Sequence, residues 1–435
     1  MNFRLLKLAF KNRQIRNRIF SVLIILLIFR LLSHIPVPIG NPADLRLFLE
    51  GLFANNRFLG FIDMFSGGAL ANFSIVLMGL GPYINASIIM QLMGQVVPKI
   101  SELKKEGEAG RKKINQYTRM LTLPLAMGQA VGSVFFLKRL SAQSGQIDIV
   151  GNPTLAQWVL IISVITAGSV LLMWLGEILS EKGIGNGISL LIFAGIIAQL
   201  PAMSGQLFSL LQTDASKIIT VLLFIFATIL TTYFIVKLNE GQRRVTVSYA
   251  KRVQGSKAYG GVESTLPIRV ITAGVIPIIF AVAFLSVPPF LSQIFINAET
   301  IWVAGIAQNV SNWFAPTSNV YAVVYFSLVV LFTYFYTGVV FNVKDIAENL
   351  QKQGGFIPGI RPGKQTADYL KRVVNRITLF GSISLGLIAI LPFIAERITG
   401  SSILTIGGTG LLIVVSVAIE SLRQLESQTV MLAYE

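Results

Sequence analysis

The chain has 435 residues, 53% of them hydrophobic and only 13% charged, with a mean hydropathy of +0.69. A soluble protein of this length carries roughly 25% charged residues, so the composition excludes an ordinary water-soluble enzyme and makes lipid the solvent. The net charge of +16 fits nucleic acid or anionic headgroups until its distribution is known, and the absence of cysteine excludes disulfides, thiolate metal sites and thiol nucleophiles.

The amino terminus imitates a secretion signal, with a basic stretch to Arg18 and apolar residues from Ile19. No small-x-small cleavage site follows, because the chain continues Ser33-His34-Ile35-Pro36, so 19–35 reads as an uncleaved first span. His34, the single histidine, reads as an interfacial residue. A helix needs about 20 apolar residues to cross the hydrocarbon core. Further spans are predicted at 76–97, 118–137, 155–176, 184–200, 217–236, 270–292, 319–341, 374–394 and 401–420. Arg30 is the only charge more than two residues from an end of these spans, and it lies close enough to its own span end to snorkel.

Residues 61–97 would span about 55 Å as one helix, too long for one crossing and too short for two. Ser66-Gly67-Gly68 and Gly79-x-Gly81-Pro82 punctuate this stretch, which predicts a half-helix at about 62–75, a break, and then a full span. Non-helical backbone at membrane depth survives only when buried in protein or lining a cavity.

With the amino terminus cytoplasmic, the inner segments hold 29 Lys and Arg residues and the outer segments 6. That asymmetry fixes the orientation and accounts for the basic charge without nucleic acid. Ten spans divide at the polar stretch 201–216 into an amino-terminal half (1–200) and a carboxy-terminal half (217–420), followed by a cytoplasmic tail (421–435). An odd number of spans per half inverts one relative to the other and places a working site between them. The expected fold is all-α, with ten transmembrane helices in two inverted five-helix halves and a re-entrant half-helix. Two inner loops, 237–269 and 342–376, are too long to be connectors. The first alternates at the strand period through Arg243-Arg244-Val245-Thr246-Val247-Ser248-Tyr249, which predicts a small β-hairpin.

Chemistry is missing where catalysis would need it. There is no His-Glu-x-x-His and no phosphate-binding loop, and Gly363-Lys364 is followed by Gln365. An ion-coupled secondary transporter with an inverted repeat would need carboxylates within the spans, and an intramembrane hydrolase a histidine-based or paired-carboxylate centre. Neither pattern is present, no cofactor or metal is expected, and whatever moves must be pushed by a partner.

Several runs resemble the SecY family: Met64-Phe65-Ser66-Gly67-Gly68-Ala69, Gly81-Pro82-Tyr83-Ile84-Asn85, Lys104-Lys105-Glu106-Gly107-Glu108, Gly183-Ile184-Gly185-Asn186-Gly187, Gly241-Gln242-Arg243-Arg244, Ala273-Gly274-Val275-Ile276-Pro277 and the 354–363 turn. The resemblance implies a polypeptide channel of the bacterial plasma membrane with both termini cytoplasmic. It implies a pore ring of Ile84, Ile88, Ile188, Ile192, Ile279 and Ile413, sealed from outside by a plug containing Phe65, Ser66, Gly67, Gly68, Ala69 and Leu70. A lateral gate is implied between the second and seventh spans, with Ser87 and Gln91 on one side and Thr272 and Ile276 on the other. Arg243, Arg244, Lys251, Arg252, Lys257 and Arg361 would dock a SecA motor or a ribosome. Small subunits of the SecE and SecG type, signal peptides, nascent chains and anionic lipids complete the implied partners. The sequence departs from the family pattern at Ile271-Thr272, where relatives often carry asparagine, and at Gln254-Gly255-Ser256-Lys257, where many carry two arginines.

Overall fold

The computed structural model describes residues 12–38, 63, 66–144, 154–183, 185–213, 218–249, 252–254, 257–259, 263–296, 300–315, 318–399 and 403–434. Helices dominate. The first group is α1 (Arg13–Leu32), α2 (Gly81–Val96), α3 (Pro98–Lys105), α4 (Glu108–Ser144), α5 (Leu155–Lys182) and α6 (Gly187–Thr213). The second is α7 (Ile218–Glu240), α8 (Ile276–Phe295), α9 (Ile301–Trp313), α10 (Asn319–Val340), α11 (Val343–Lys352), α12 (Lys364–Thr399) and α13 (Ile403–Tyr434). Strands β1 (Gln242–Tyr249), β2 (Arg252–Gln254), β3 (Lys257–Tyr259) and β4 (Glu263–Arg269) lie between α7 and α8, and β5 (Gly355–Phe356) follows α11.

Local chemistry sets several helix starts. The Asn12 side chain accepts from the Gln14 amide at 2.9 Å to cap α1, and Thr154 with Gln157 forms a reciprocal capping box on α5. Both α2 and α8 carry proline in the first turn, Pro82 and Pro277, where the missing N–H would have had no helical partner.

Among the described residues, four helical stretches are long and apolar enough to cross a membrane: Leu155–Lys182, Val221–Glu240, Asn319–Lys352 and Lys364–Ala395. Gly187–Ala202 and Ile276–Pro289 are shorter apolar helices. Burial separates their surroundings. Helix α5 buries Ile161, Ile165, Leu172 and Leu179, whereas α7 exposes Leu222, Phe226, Ile229 and Tyr233. A helix that is apolar all round yet so little covered is solvated by lipid. Helices α1, α2, α4, α5 and α6 pack on one another, as do α7, α8, α10, α12 and α13. The two groups meet along two seams, α6 against α13, and α2 with α4 against α8.

The structure departs from the expected boundaries in physically readable ways. The half-helix expected over 62–75 is replaced from Gly67 onward by successive turns that last to Leu80, and the second span begins at Gly81 instead of residue 76. Positive φ at Gly67 (71°), Gly68 (84°), Phe73 (44°) and Gly79 (54°) is incompatible with a right-handed helix. Helix α6 continues through Pro201 to Thr213, into the stretch expected as a hinge, because proline removes one donor without stopping a segment otherwise rich in helix formers. Helix α9 occupies the segment read as an outer loop, and α13 carries on to Tyr434 through the expected tail.

The turned segment is fitted closely to its neighbours. A Cβ at Gly168 of α5 would collide with the Ile75 carbonyl oxygen. Gly168→Ala is therefore expected to destabilise the fold by about 1–3 kcal/mol, as overpacking does, and to lower the thermal unfolding midpoint in detergent. An unchanged midpoint would contradict this packing.

Candidate functional site

One large apolar cluster draws on helices of both groups, among them α2, α6, α8 and α13. Ile84 and Ile88 of α2, Ile192 of α6, Ile279 of α8 and Ile413 of α13 are buried in it, and Ile188 of α6 is partly buried against it. Each same-helix pair repeats after four residues and so lies on one helix face. All six isoleucines expected at a waist belong to this large core, five of them buried and Ile188 partly buried.

The turned segment packs against this cluster and a second one. Ala69 is fully buried in the waist cluster, while Leu70, Phe73 and Leu77 join Ala130, Val134, Leu137, Ile161 and Ile165 of α4 and α5. Phe65 lies outside the described residues. Ser66 Oγ donates to the Asp63 carbonyl at 3.0 Å and accepts from the Leu70 amide at 3.3 Å. Glycine at 67 answers both the backbone sign and crowding, since a Cβ there would lie 3.0 Å from Gly195 Cα and from Phe29 Cζ. The neighbouring chain satisfies further backbone groups: the Val37 amide donates to Phe73 O at 2.9 Å and the Ile75 amide to Ile35 O at 2.9 Å.

Arg30 does not snorkel. Its Nη1 donates to the Gly67 carbonyl at 2.6 Å, so the one charge set well inside a predicted span turns inward. Gln199 Nε2 of α6 donates to the Asp63 carbonyl at 3.0 Å and to Asp63 Oδ2 at 2.9 Å. Asp63 Oδ1 accepts from the Ala71 amide at 2.8 Å. Sequence reasoning passed over Asp63 and Gln199. The available signal was Arg30 itself, because an ionised group at membrane depth requires a partner.

The residues expected at a lateral gate belong to elements that meet, but their hydrogen bonds do not cross the seam. Gln91 Nε2 donates to Ser87 Oγ at 3.1 Å within α2, and Gln91 Oε1 is buried without a partner. Thr272 Oγ1 donates to Thr337 Oγ1 of α10 at 3.2 Å, and Ile276 packs on the waist cluster.

The two long basic loops fold into one unit. The expected hairpin is a three-stranded sheet of order β4-β1-β5, in which β1 is antiparallel to both neighbours. Strand alternation puts Val245 and Val247 on one face, and that face needs cover. Ile268, Leu350, Ile357, Leu370 and Val374 supply it from β4 and the 342–376 loop. Arg243 and Arg244 stay exposed on β1. Arg361 is exposed in a turn bounded by Gly359 (φ 80°) and Gly363 (φ 95°), and its carbonyl accepts from Thr366 Oγ1 at 2.9 Å. Arg252 and Lys257 stand on the antiparallel ribbon β2–β3, and Lys251 lies outside the described residues. Among the described residues, no group of three or more His, Asp or Glu is placed to hold a metal ion.

Two groups of helices, several of them long and apolar enough to cross a membrane and packed on each other through aliphatic side chains, define a polytopic membrane protein. The SecY family profile matches residues 74–422. The protein translocase subunit SecY of Mycobacterium bovis is 39% identical over 438 residues, covering 98% of each chain. That of Staphylococcus aureus is 41% identical over 425 residues, covering 96% of this chain and 95% of its own. The chain belongs to the SecY family. Two solved structures share its fold. A protein-conducting channel matches with a TM-score of 0.64 at 21% identity, and Sec61 of the canine ribosome–channel complex with 0.60 at 19%; each match covers 93% of this chain and 90% of the other.

The shared core of the basic unit is open to test. Val247→Asp places a charge where the sheet meets the 342–376 loop, a buried site that does not tolerate an unpaired carboxylate. The expected outcome is rapid protease cleavage in 342–376 with the membrane helices still protected. Wild-type resistance would separate the two loops.

Proposed function

We propose that this chain is a protein-conducting channel. Unfolded secretory polypeptides cross the bacterial plasma membrane through it, and apolar segments leave it sideways into lipid. The observation that supports this reading is one apolar core, shared by both helix groups, that includes the six isoleucines and Ala69 of the turned segment. A narrow apolar constriction excludes water and ions without any bound metal or charged filter. Aliphatic side chains also close around any sequence without holding one in particular.

In this reading the chain crosses the membrane ten times in two inverted halves, with both termini cytoplasmic. Ile84, Ile88, Ile188, Ile192, Ile279 and Ile413 form the pore ring, and residues 65–70 form the plug. The seam between α2 and α8 is the lateral gate, at which signal peptides and apolar nascent segments reach lipid. The unit bearing Arg243, Arg244, Arg252, Lys257 and Arg361 receives a SecA motor or the phosphate-rich surface of a ribosome. Small subunits of the SecE and SecG type lie against lipid-exposed helices, and anionic lipids meet the basic side.

Two measurements test this function. Ile84→Lys in planar bilayers is expected to raise the resting ion conductance about tenfold or more, because a charge at the constriction wets it; wild-type conductance would remove Ile84 from the ring. Arg361→Glu is expected to reduce partner-driven uptake of a secretory precursor into vesicles about tenfold, the scale of one reversed charge at a docking surface. The chain's own membrane insertion should remain normal. Full uptake by that variant would discard the docking role.

A further inference from the structure

We propose that Arg30, Asp63 and Gln199 form a polar latch that fastens the plug to two helices of the amino-terminal group, and that this latch grips only while the channel is dry. The inference rests on the channel reading and adds to it the residues that hold the plug in place.

Three features meet at this point. The Arg30 guanidinium of α1 reaches the Gly67 carbonyl at 2.6 Å, and the left-handed turn at Gly67 and Gly68 brings that carbonyl within its reach. From α6, Gln199 Nε2 donates to both the backbone carbonyl and the carboxylate of Asp63, at 3.0 and 2.9 Å. The second oxygen of that carboxylate holds the Ala71 amide at 2.8 Å, so Asp63 braces the plug's own turn while tying it to α6. Arg30 and Asp63 also attract one another electrostatically. The plug is thereby held from α1 and α6 at once, on either side of Gly67.

The surroundings set the strength of this grip. Arg30, Asp63 and Gln199 are partly buried, Phe29 of α1 and Ser33 just beyond it are buried on both sides of Arg30, and Ala69 is fully buried in the large core. Hydrogen bonds and ion attractions between groups partly shielded from water are stronger than between fully exposed ones, and leaving either partner unpaired there is unfavourable. Once a polypeptide parts the ring and water enters, the same groups are hydrated and their mutual preference falls to the modest level of exposed pairs. The closed state therefore reinforces itself, and the open state does not have to break a strong contact to persist. A purely apolar plug would lack this switch in strength.

Because the chain has no cysteine, Ala69→Cys provides a unique label for plug position. In the full chain, with its membrane partners and no precursor, that thiol is expected to resist a membrane-impermeant maleimide. Gln199→Met keeps the side chain's size and loses both donated bonds, and it should raise the labelling rate and the resting conductance about tenfold. Gln199→Glu, which sets a second carboxylate against Asp63, should raise both further. Wild-type labelling and conductance in both variants would overturn the latch. Ile84→Lys, measured alongside, separates the two ideas: a leak there with tight Gln199 variants discards the latch alone, whereas no leak in any variant discards the channel reading beneath it.

Discussion

The aliphatic contact between the two helix groups is the interaction on which the remaining structure depends. In lipid, apolar side chains gain little from meeting each other, because the acyl chains they leave are equally apolar. What favours the burial of Ile84, Ile88, Ile192, Ile279 and Ile413 in one core is shape, together, in the proposed channel, with the exclusion of water from a path that would otherwise be wet. Such a closure is tight to ions and yet has no directional bond to break. In the proposed ring, the sealing surface and the yielding surface are the same six side chains.

That choice shifts the directional interactions elsewhere. The segment from Gly67 to Leu80 is irregular backbone beside the waist, which the membrane interior permits only when its polar groups are satisfied by protein. Val37, Ile35, Ser33, Gln199 and Arg30 supply partners from the chain on either side. Glycine is required where this segment touches α5 and α6, at positions 67 and 168, because no side chain fits between the backbones. The turned segment is thus held by polar contacts and close approach, and the proposed ring by apolar fit.

Much of this was legible in the sequence, and the remainder failed for identifiable reasons. Long apolar runs and the charge pattern announce lipid-embedded helices, and the glycine pairs at 67–68 and near 79 announce a break. The shape of that break was not legible: Phe73 adopts φ 44°, which no composition rule anticipates for an aromatic residue. The continuation of α6 beyond Pro201 shows the opposite error, a polar stretch at 201–216 read as a hinge where the helix runs on to Thr213. Arg30 was seen but assigned to the interface, because a linear reading does not reveal that the Gly67 carbonyl lies 2.6 Å away. The joining of the two basic loops is tertiary information of the same kind. Alternation predicted the strand at Val245 and Val247, while its cover comes from residues about a hundred positions further along the chain.

The joined unit also bears on how a docked partner would act on the proposed gate. Strand β4 ends at Arg269 and α8 begins at Ile276, so the docking sheet and the gate helix are nearly continuous. The short link is pinned at several points. The Val270 amide donates to the Gly241 carbonyl at 2.9 Å, a Cβ at Gly381 of α12 would stand 2.5 Å from the Val270 carbonyl, and Thr272 bonds Thr337 of α10 at 3.2 Å. Gly274, at φ 61°, is bare where Glu420 of α13 approaches. A push on the sheet therefore reaches α8 together with the helices that brace it, and is not dissipated in a slack linker. Across the seam, Ser87 and Gln91 bond each other inside α2, and Thr272 bonds inside its own group. Moving α8 away from α2 breaks neither of those bonds, and lipid replaces the apolar contact at little loss. The seam can yield to a partner's push while each group stays intact, which is what a channel that opens sideways requires.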